Sequence, residues 1–187
     1  MKHLASIIGI LIIPLFLLTS ITIVNAITMV NSQTETNTNN MTNPTPFSVS
    51  IGDLIFESKS QSESMKISDI DKHQFEISWS GNGTVNGNVP VWESGTVWTT
   101  LKDDGYWYGE GQGLIIAFDN NVAKYTFSSV GKMDDDGKLR NLGSVTFDTN
   151  DAEDGGELSV LKNTIGVLAD EIDQNGNAIT KVWKLER

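Results

Sequence analysis

The chain has 187 residues, of which 39% are hydrophobic, and its 24 acidic residues against 13 basic ones give a net charge of −11. This length and composition suffice for one globular domain with short appendages. No basic cluster is present, which argues against nucleic acid as a partner, because binding it requires a cationic surface. The sequence contains no cysteine, which excludes disulfides, thiolate metal sites and cysteine nucleophiles.

Residues 1–26 have the pattern of an export signal. Lys2 and His3 precede an apolar run from Leu4 to Val24, and Val24-Asn25-Ala26 resembles a small-residue cleavage site. Because the run is long for a signal peptide, an uncleaved membrane anchor is the alternative. We therefore expect an extracytoplasmic protein, either secreted or attached to the cell membrane by this segment.

Residues 27–46 are predicted to form a disordered linker. Their composition is dominated by Asn, Thr, Ser, Gln and Pro. Such a segment cannot bury enough apolar area to offset the loss of chain entropy on folding. The linker would separate the export segment from a folded domain at residues 47–187.

Within residues 47–187, eight segments are predicted to be strands because they are rich in β-branched and aromatic residues and are bounded by Gly, Asn or Asp. The alternation is clearest between His73 and Ser80, where Phe75, Ile77 and Trp79 share one face and polar side chains share the other. The predicted strands are 47–57, 73–80, 89–101, 105–118, 122–130, 138–147, 164–172 and 178–185.

The segments between these strands consist mainly of turn-forming residues, as in Lys102–Gly105, Asp134–Gly137 and Asp173–Asn177. Short turns join antiparallel neighbours. The fold class predicted is therefore all-β, a single antiparallel up-and-down barrel of about eight strands, with a two-sheet sandwich as the alternative. Leu158–Leu161 is predicted to form a short helical turn that plugs one end of the barrel.

The fourth predicted strand has glycine at positions 109, 111 and 113, all on one face. Three missing side chains in a row indicate that a ring, a backbone or a ligand comes close there, or that the sheet bends. Either large side chains pack over these glycines, or the space beside them holds a ligand.

From about Ser80 to the C-terminus, the order of several motifs is similar to that of an uncharacterised family of small prokaryotic β-barrel proteins. The family resembles the calycin and allene oxide cyclase barrels in outline. This resemblance implies a calycin-like barrel and supplies no chemistry, since the catalytic pattern of allene oxide cyclases has no counterpart here. The motifs are Gly81-Asn82-Gly83, Tyr108–Gly113, Leu158 and Leu161 ahead of Gly166-Val167, Asp173–Asn177 and Lys181-Val182-Trp183.

A ligand pocket inside the barrel is the first candidate site. Aromatic residues on the predicted strands could surround the glycine strip, and one polar residue could fix the orientation of a small apolar molecule. The alternative is that the same rings simply form the core. The residues assigned to this pocket are Trp79, Trp92, Trp98, Trp107, Glu110 and Tyr125.

Two carboxyls form the second candidate site. Glu110 and Glu93 lie in mid-strand, and a carboxyl inside a closed barrel would have a raised pKa suited to proton transfer. Strand alternation places Glu110 opposite the glycine strip, so a solvated Glu110 is the alternative.

A metal site and a hydrolytic catalytic triad have less support from the sequence. Asp173, Asn175 and Asn177 have calcium-loop spacing, but Ala178 and Lys184 stand where the loop requires Gly and Glu, so a hairpin turn is predicted. The chain has two histidines and no cysteine. We therefore predict no catalytic residue, no metal site and no cofactor.

The sequence leaves three functional hypotheses. The first is a binding protein for a small apolar or amphipathic ligand, with membrane contact only through the N-terminal segment. The second is a cyclase or isomerase that uses a buried carboxyl. The third is a surface interaction module with a filled barrel.

Overall fold

The structure is a computed structural model that describes residues 48–118, 120–149 and 156–187. The predicted export segment and linker lie outside the described residues. Among the residues that are described, no helix has the length and apolar character needed to cross a membrane.

Eight antiparallel strands form one closed barrel in which each strand pairs with its neighbours in sequence and β1 pairs with β8. This confirms the predicted all-β barrel and excludes the two-sheet sandwich. The strands are β1 (Ser50–Asp69), β2 (Gln74–Val85), β3 (Val89–Leu101), β4 (Tyr106–Ala117), β5 (Val122–Met133), β6 (Leu139–Thr149), β7 (Ile165–Ile172) and β8 (Asn177–Glu186).

β1 extends well beyond its predicted end at residue 57. The added residues pair with β2 up to Asp69, whereas the pairing with β8 stops at Gln61. Most side chains in this extension are polar and exposed, so the sequence there does not show the alternating apolar pattern of a half-buried strand. Backbone hydrogen bonds to β2, rather than burial of side chains, therefore hold the extension in a strand.

One end of the barrel, the plugged end, is filled by apolar side chains. Val85, Ile115, Ala123 and Phe147 point inward there and are each at most 2% exposed. A short 3-10 helix at Ser159–Leu161 lies between β6 and β7, and its flanking Leu158 together with Leu161 joins this core with no exposed surface. The helical turn is thus present at the predicted position.

The glycines of β4 face the interior and make room for rings of β5. A Cβ atom at Gly111 would lie 2.4 Å from the Phe127 ring, and one at Gly113 would lie 2.5 Å from the Tyr125 ring. Real Cβ contacts are longer than this, so the two rings occupy the space that side chains would take. Gly109 instead lines an internal cavity. Ring packing therefore explains Gly111 and Gly113, whereas Gly109 lies beside open space.

Three hairpins at the opposite end, the turn end, share one backbone pattern. In the β7–β8 hairpin, the amide of Asp173 donates to the carbonyl of Asn177, and Gly176 adopts φ +79°. Glycine is suited to this left-handed conformation because it has no Cβ. The Asp173 carboxylate accepts hydrogen bonds from the amides of Asn175 and Asn177. The other two hairpins of this kind place Gly105 and Gly137 at the matching position.

Candidate functional site

The barrel encloses a cavity of about 110 Å³ next to the plugged core. Its walls are mostly apolar and come from inward-facing positions of all eight strands, with β4 contributing Gly109. Aromatic rings form a large part of the wall. The Trp79 ring is edge-on to Phe127 with 6.0 Å between ring centroids, and the Tyr125 ring is tilted against Phe147 with 5.9 Å between ring centroids. Such offset and edge arrangements are the favourable ones for aromatic pairs.

Glu93 of β3 points into this cavity and is 2% exposed. The Tyr125 hydroxyl donates a hydrogen bond to Glu93 Oε2 at 3.1 Å. Within the described part of the chain, Glu93 Oε1 has no hydrogen-bond partner, and neither does the buried hydroxyl of Ser58. A buried polar atom without a partner is costly, so this oxygen is a candidate point of contact for a ligand.

Burial raises the pKa of Glu93, and the side chains of Ser58, Tyr125 and Trp79 partly oppose that change. Burial likewise raises the pKa of Tyr125, as does the negative charge of Glu93 beside it. The Tyr125 hydroxyl therefore keeps its proton and remains a donor to Glu93. The pair offers an incoming molecule one free carboxyl oxygen in an apolar wall.

Asp170 of β7 is a second carboxyl in the cavity wall. Asn141 Nδ2 of β6 donates to Asp170 Oδ1 at 2.6 Å. Burial raises the pKa of Asp170 from 3.8 to about 6, against the lowering effect of the hydrogen bonds from Asn141. Asp170 is thus a carboxyl that titrates within the pH range of ordinary solution experiments.

The cavity extends from the core toward the turn end of the barrel. Its wall residues near the core, such as Val145, Phe147 and Val182, are at most 2% exposed. Those nearer the turns, such as Leu139 and Ile172, are half-buried. This gradient of exposure indicates that the turn end is the route by which a molecule would enter.

Three residues assigned to the pocket from the sequence do not have the predicted interior position. Trp92 is 41% exposed and Trp98 is 37% exposed, and both lie on the outer face of β3. Glu110 lies on the outer face of β4, where it pairs with Trp98. The reason is strand alternation, since inward-facing Glu93 and Gly111 have odd numbers whereas these three residues have even ones.

The other three assigned residues face inward, and two of them line the cavity. Trp79 and Tyr125 are wall residues, close to Glu93. Trp107 lies near the turn end, where its ring stacks 5.9 Å from Phe75, outside the cavity wall. Sequence reasoning considered Glu93 as a carboxyl but did not assign it to the pocket, although it shares the inward face with Val91 and Gly95.

Asp170 and Asn141 were missed at the sequence level. The available signal was an acidic residue on the same strand face as Leu168 and Ile172, at alternate positions of β7. An acidic residue on the apolar face of a strand indicates a buried carboxyl. The neighbouring Glu171 obscured the pattern, because two adjacent acidic residues are typical of a solvated strand end.

Replacing Asp170 by Asn is expected to remove part of the pH dependence of folding stability. Because the folded pKa of about 6 lies above the ordinary value of 3.8, Asp170 favours the folded state at low pH, and that contribution is lost as the pH rises through this range. The rise from 3.8 to about 6 corresponds to a loss of about 3 kcal/mol, because one pKa unit corresponds to about 1.4 kcal/mol. Since the Asp170 side chain is only half-buried, this value is an upper limit.

Urea unfolding of the wild type and of Asp170→Asn at several pH values from 4 to 7 tests this. The variant keeps an oxygen that can accept from Asn141 and should be the more stable of the two above pH 6, with the difference vanishing near pH 4. The same pH profile in both proteins would contradict the assignment of the raised pKa to Asp170.

Comparison with known proteins supports the fold. No protein-family model matches the chain, and no curated protein matches its sequence. A conserved protein of unknown function from Rhodopseudomonas palustris is similar in structure, with a TM-score of 0.60, 9% identity, and coverage of 76% of this chain and 100% of that one.

Two further solved structures have the same relation to this chain. A protein of unknown function from Clostridium acetobutylicum matches with a TM-score of 0.61, 14% identity, and coverage of 74% of this chain and 100% of that one. A β-barrel-like protein from Acinetobacter baumannii matches with a TM-score of 0.60, 10% identity, and coverage of 77% of this chain and 100% of that one. The chain therefore shares the small β-barrel fold of these uncharacterised proteins.

Proposed function

We propose that the barrel binds a small molecule, mainly apolar and carrying one polar group, in its internal cavity. The observation that carries this proposal is the unpartnered Oε1 atom of Glu93, buried in a wall that is otherwise largely aromatic and aliphatic. Ligand sites combine apolar walls with a few placed polar groups, and this cavity has that composition.

Binding would draw its free energy from two sources. Transfer of the apolar part of the ligand from water to the rings of Trp79, Phe127 and Phe147 is favourable in proportion to the area buried. A hydrogen bond to Glu93 Oε1 satisfies an atom that otherwise has no partner in the described part of the chain. The first source gives affinity, and the second fixes the orientation of the ligand.

The cavity volume limits the size of the ligand. An engineered protein cavity of about 150 Å³ binds benzene. A cavity of about 110 Å³ therefore accommodates a compact group of about five non-hydrogen atoms. A longer ligand would have its remaining atoms in the mouth at the turn end.

The proposal also covers the type of barrel and the cellular location of the protein. We propose a calycin-like barrel, supported by its eight up-and-down strands and an internal cavity at the position where such barrels hold ligands. We also propose that the barrel acts outside the cytoplasm, secreted or attached to the cell membrane, on the basis of the apolar segment at residues 4–24.

A second candidate function is an isomerase or cyclase that transfers a proton. It is favoured by the position of Glu93, a carboxyl with a raised pKa inside a largely apolar cavity, next to the Tyr125 hydroxyl. In this case, Glu93 would exchange a proton with the bound molecule and Tyr125 would hold the carboxyl in place. The resemblance to allene oxide cyclase barrels concerns the fold and supplies no catalytic residue for this candidate.

NMR titration of the isotope-labelled protein with 1-butanol and n-butylammonium chloride tests the binding proposal. Chemical-shift changes are expected at inward-facing residues around Glu93 rather than on the outer face. Val97 lines the cavity, so Val97→Phe should fill it and reduce the shift changes at least tenfold at equal ligand concentration. Thr96→Phe adds the same ring on the outer face of β3 and is the control that should leave binding unchanged.

Two results would contradict the proposal. One is the absence of shift changes for both molecules. The other is a set of changes that Val97→Phe leaves intact, which would place the binding site outside the cavity. Exchange of a carbon-bound hydrogen of a candidate substrate with solvent deuterium, dependent on Glu93, would favour the enzyme instead.

A further inference from the structure

The charges of the cavity wall all have one sign. Two wall residues, Glu93 and Asp170, carry carboxyls, whereas no Lys, Arg or His is present among the described residues that form the wall. An anionic ligand would therefore enter a poorly solvated space without a basic partner and with acidic groups nearby, which is unfavourable. The wall discriminates against carboxylates such as fatty acid head groups.

The hydrogen-bonding state of Glu93 specifies what the missing partner must supply. Its Oε2 atom already accepts a hydrogen bond from Tyr125, whereas Oε1 is buried and accepts none within the described part of the chain. A carboxylate oxygen requires a donor. The Ser58 hydroxyl, also buried and without a partner there, can accept a second hydrogen from the same donor group.

The rings around Glu93 favour a positive charge on that donor. Trp79 and Tyr125 both contact the Glu93 carboxyl, and Phe127 lies 6.0 Å from the Trp79 ring and 6.3 Å from the Tyr125 ring. Aromatic faces attract cations, most strongly when the cation is removed from water. A carboxylate beside several rings, with no basic side chain among the described wall residues, is the composition expected of a site for an organic ammonium ion.

Resting on the proposed binding function, we infer that the ligand is a small organic cation of the alkylammonium class. Its N–H groups donate to Glu93 Oε1, and its carbon atoms lie against the aromatic wall. A neutral alcohol of the same size can make one of these hydrogen bonds but gains nothing from the charge. A carboxylate can make none of them with an ionised Glu93.

The inference also predicts how binding depends on pH. An ammonium ion pairs with the ionised form of Glu93, whose pKa is raised by burial in the free protein. Affinity should therefore increase as the pH rises through the pKa of Glu93 and then level off. The groups facing Glu93 are Ser58 of β1, Trp79 of β2 and Tyr125 of β5, and Tyr125 stays protonated across this range because its pKa is also raised. The other titratable group of the wall is Asp170 of β7, whose pKa of about 6 lies within the same range, so its contribution is separated by the Asp170→Asn variant.

The test compares three probes of similar size, n-butylammonium, 1-butanol and propionate, by NMR titration of the protein at several pH values from 5 to 8. n-Butylammonium is expected to bind about tenfold more tightly than 1-butanol at pH 8, since charge-assisted hydrogen bonds exceed neutral ones by about this amount. Propionate is expected to produce no shift changes in the cavity.

Two isosteric variants identify the carboxyl responsible. Glu93→Gln should bring the affinity for n-butylammonium down to that for 1-butanol and, when combined with Asp170→Asn so that no second wall carboxyl titrates, should abolish the pH dependence. Asp170→Asn, at the other cavity carboxyl, should keep the preference for the cation. If Glu93→Gln does not fold, the pH profile of n-butylammonium binding to Asp170→Asn serves instead, because a flat profile from pH 5 to 8 would contradict pairing of the cation with Glu93.

The outcomes separate the inference from the function on which it rests. If 1-butanol binds as tightly as n-butylammonium, or propionate binds more tightly, the cation inference is overturned and the binding function stands. If none of the three probes binds, both are overturned. A preference for the cation that survives Glu93→Gln overturns the inference as well, because the charge then acts through another group.

Discussion

Gly143→Ala is expected to destabilise the barrel by about 3 kcal/mol or more, enough to leave much of the protein unfolded. A Cβ atom at this position would lie 2.1 Å from the carbonyl oxygen of Ser128 and 2.9 Å from Cα of Ser129. Both are backbone atoms of the adjacent strand β5, so relief of the contact requires the sheet itself to shift. Urea unfolding followed by circular dichroism would measure the loss.

Gly109→Ala is the matched control, because Gly109 and Gly143 pair with the same residue, Ser129, from opposite sides. At Gly109 the nearest atoms to an added Cβ are side-chain atoms, Ser129 Oγ at 3.1 Å and Val97 Cγ2 at 3.2 Å. These atoms can move by small rotations. A change of about 1 kcal/mol or less is expected, and equal losses in the two variants would show that backbone proximity at Gly143 is not the cause.

Leu161→Ala is expected to destabilise the protein by about 2 to 5 kcal/mol, the range for removing a fully buried leucine side chain. Leu161 has no exposed surface and belongs to the core at the plugged end, together with Leu158. Its replacement leaves a cavity that neighbouring strands cannot close, because the barrel fixes their positions. Thermal and urea unfolding would both report the change.

Val160→Ala provides the comparison for this prediction. Val160 lies in the same 3-10 helix but is only half-buried against the core. Its truncation should cost about 1 kcal/mol. If Leu161→Ala cost no more than Val160→Ala, the helical turn would be a surface feature and would not contribute to the core as described.

The barrel could be predicted from the sequence because its connections and its strands carry local signals. The turns at Gly105, Gly137 and Gly176 contain the residues that tight turns require, and these residues lie between segments with strand composition. The extension of β1 from Ser58 to Asp69 could not be predicted, because its side chains are mainly polar and the backbone pairing with β2 has no side-chain signal.

The candidate site was predictable only in part. Tyr125 and Trp79 were assigned to the interior, and their strand parity agrees with that position. Trp92 and Trp98 were assigned to the interior by residue type alone. The alternation of side chains along β3 places both on the outer face. The pairing of Asp170 with Asn141 depends on the register between β6 and β7, and the contact of Glu93 with Tyr125 joins strands that are not adjacent in sequence. Such contacts are set by the closed barrel as a whole.

The pairing of the first strand with the last has a consequence for the order of folding. Most successive strands from β2 onward can pair soon after they leave the ribosome, since each meets a neighbour across a short connection, the β6–β7 segment with its 3-10 helix being longer. The partner of Phe56 in β8 is Val182, so this seam forms only after the last strand of the barrel has been synthesised. Until then β1 lacks one partner and the interior is open to water, so we expect the seam to be the last pairing to form.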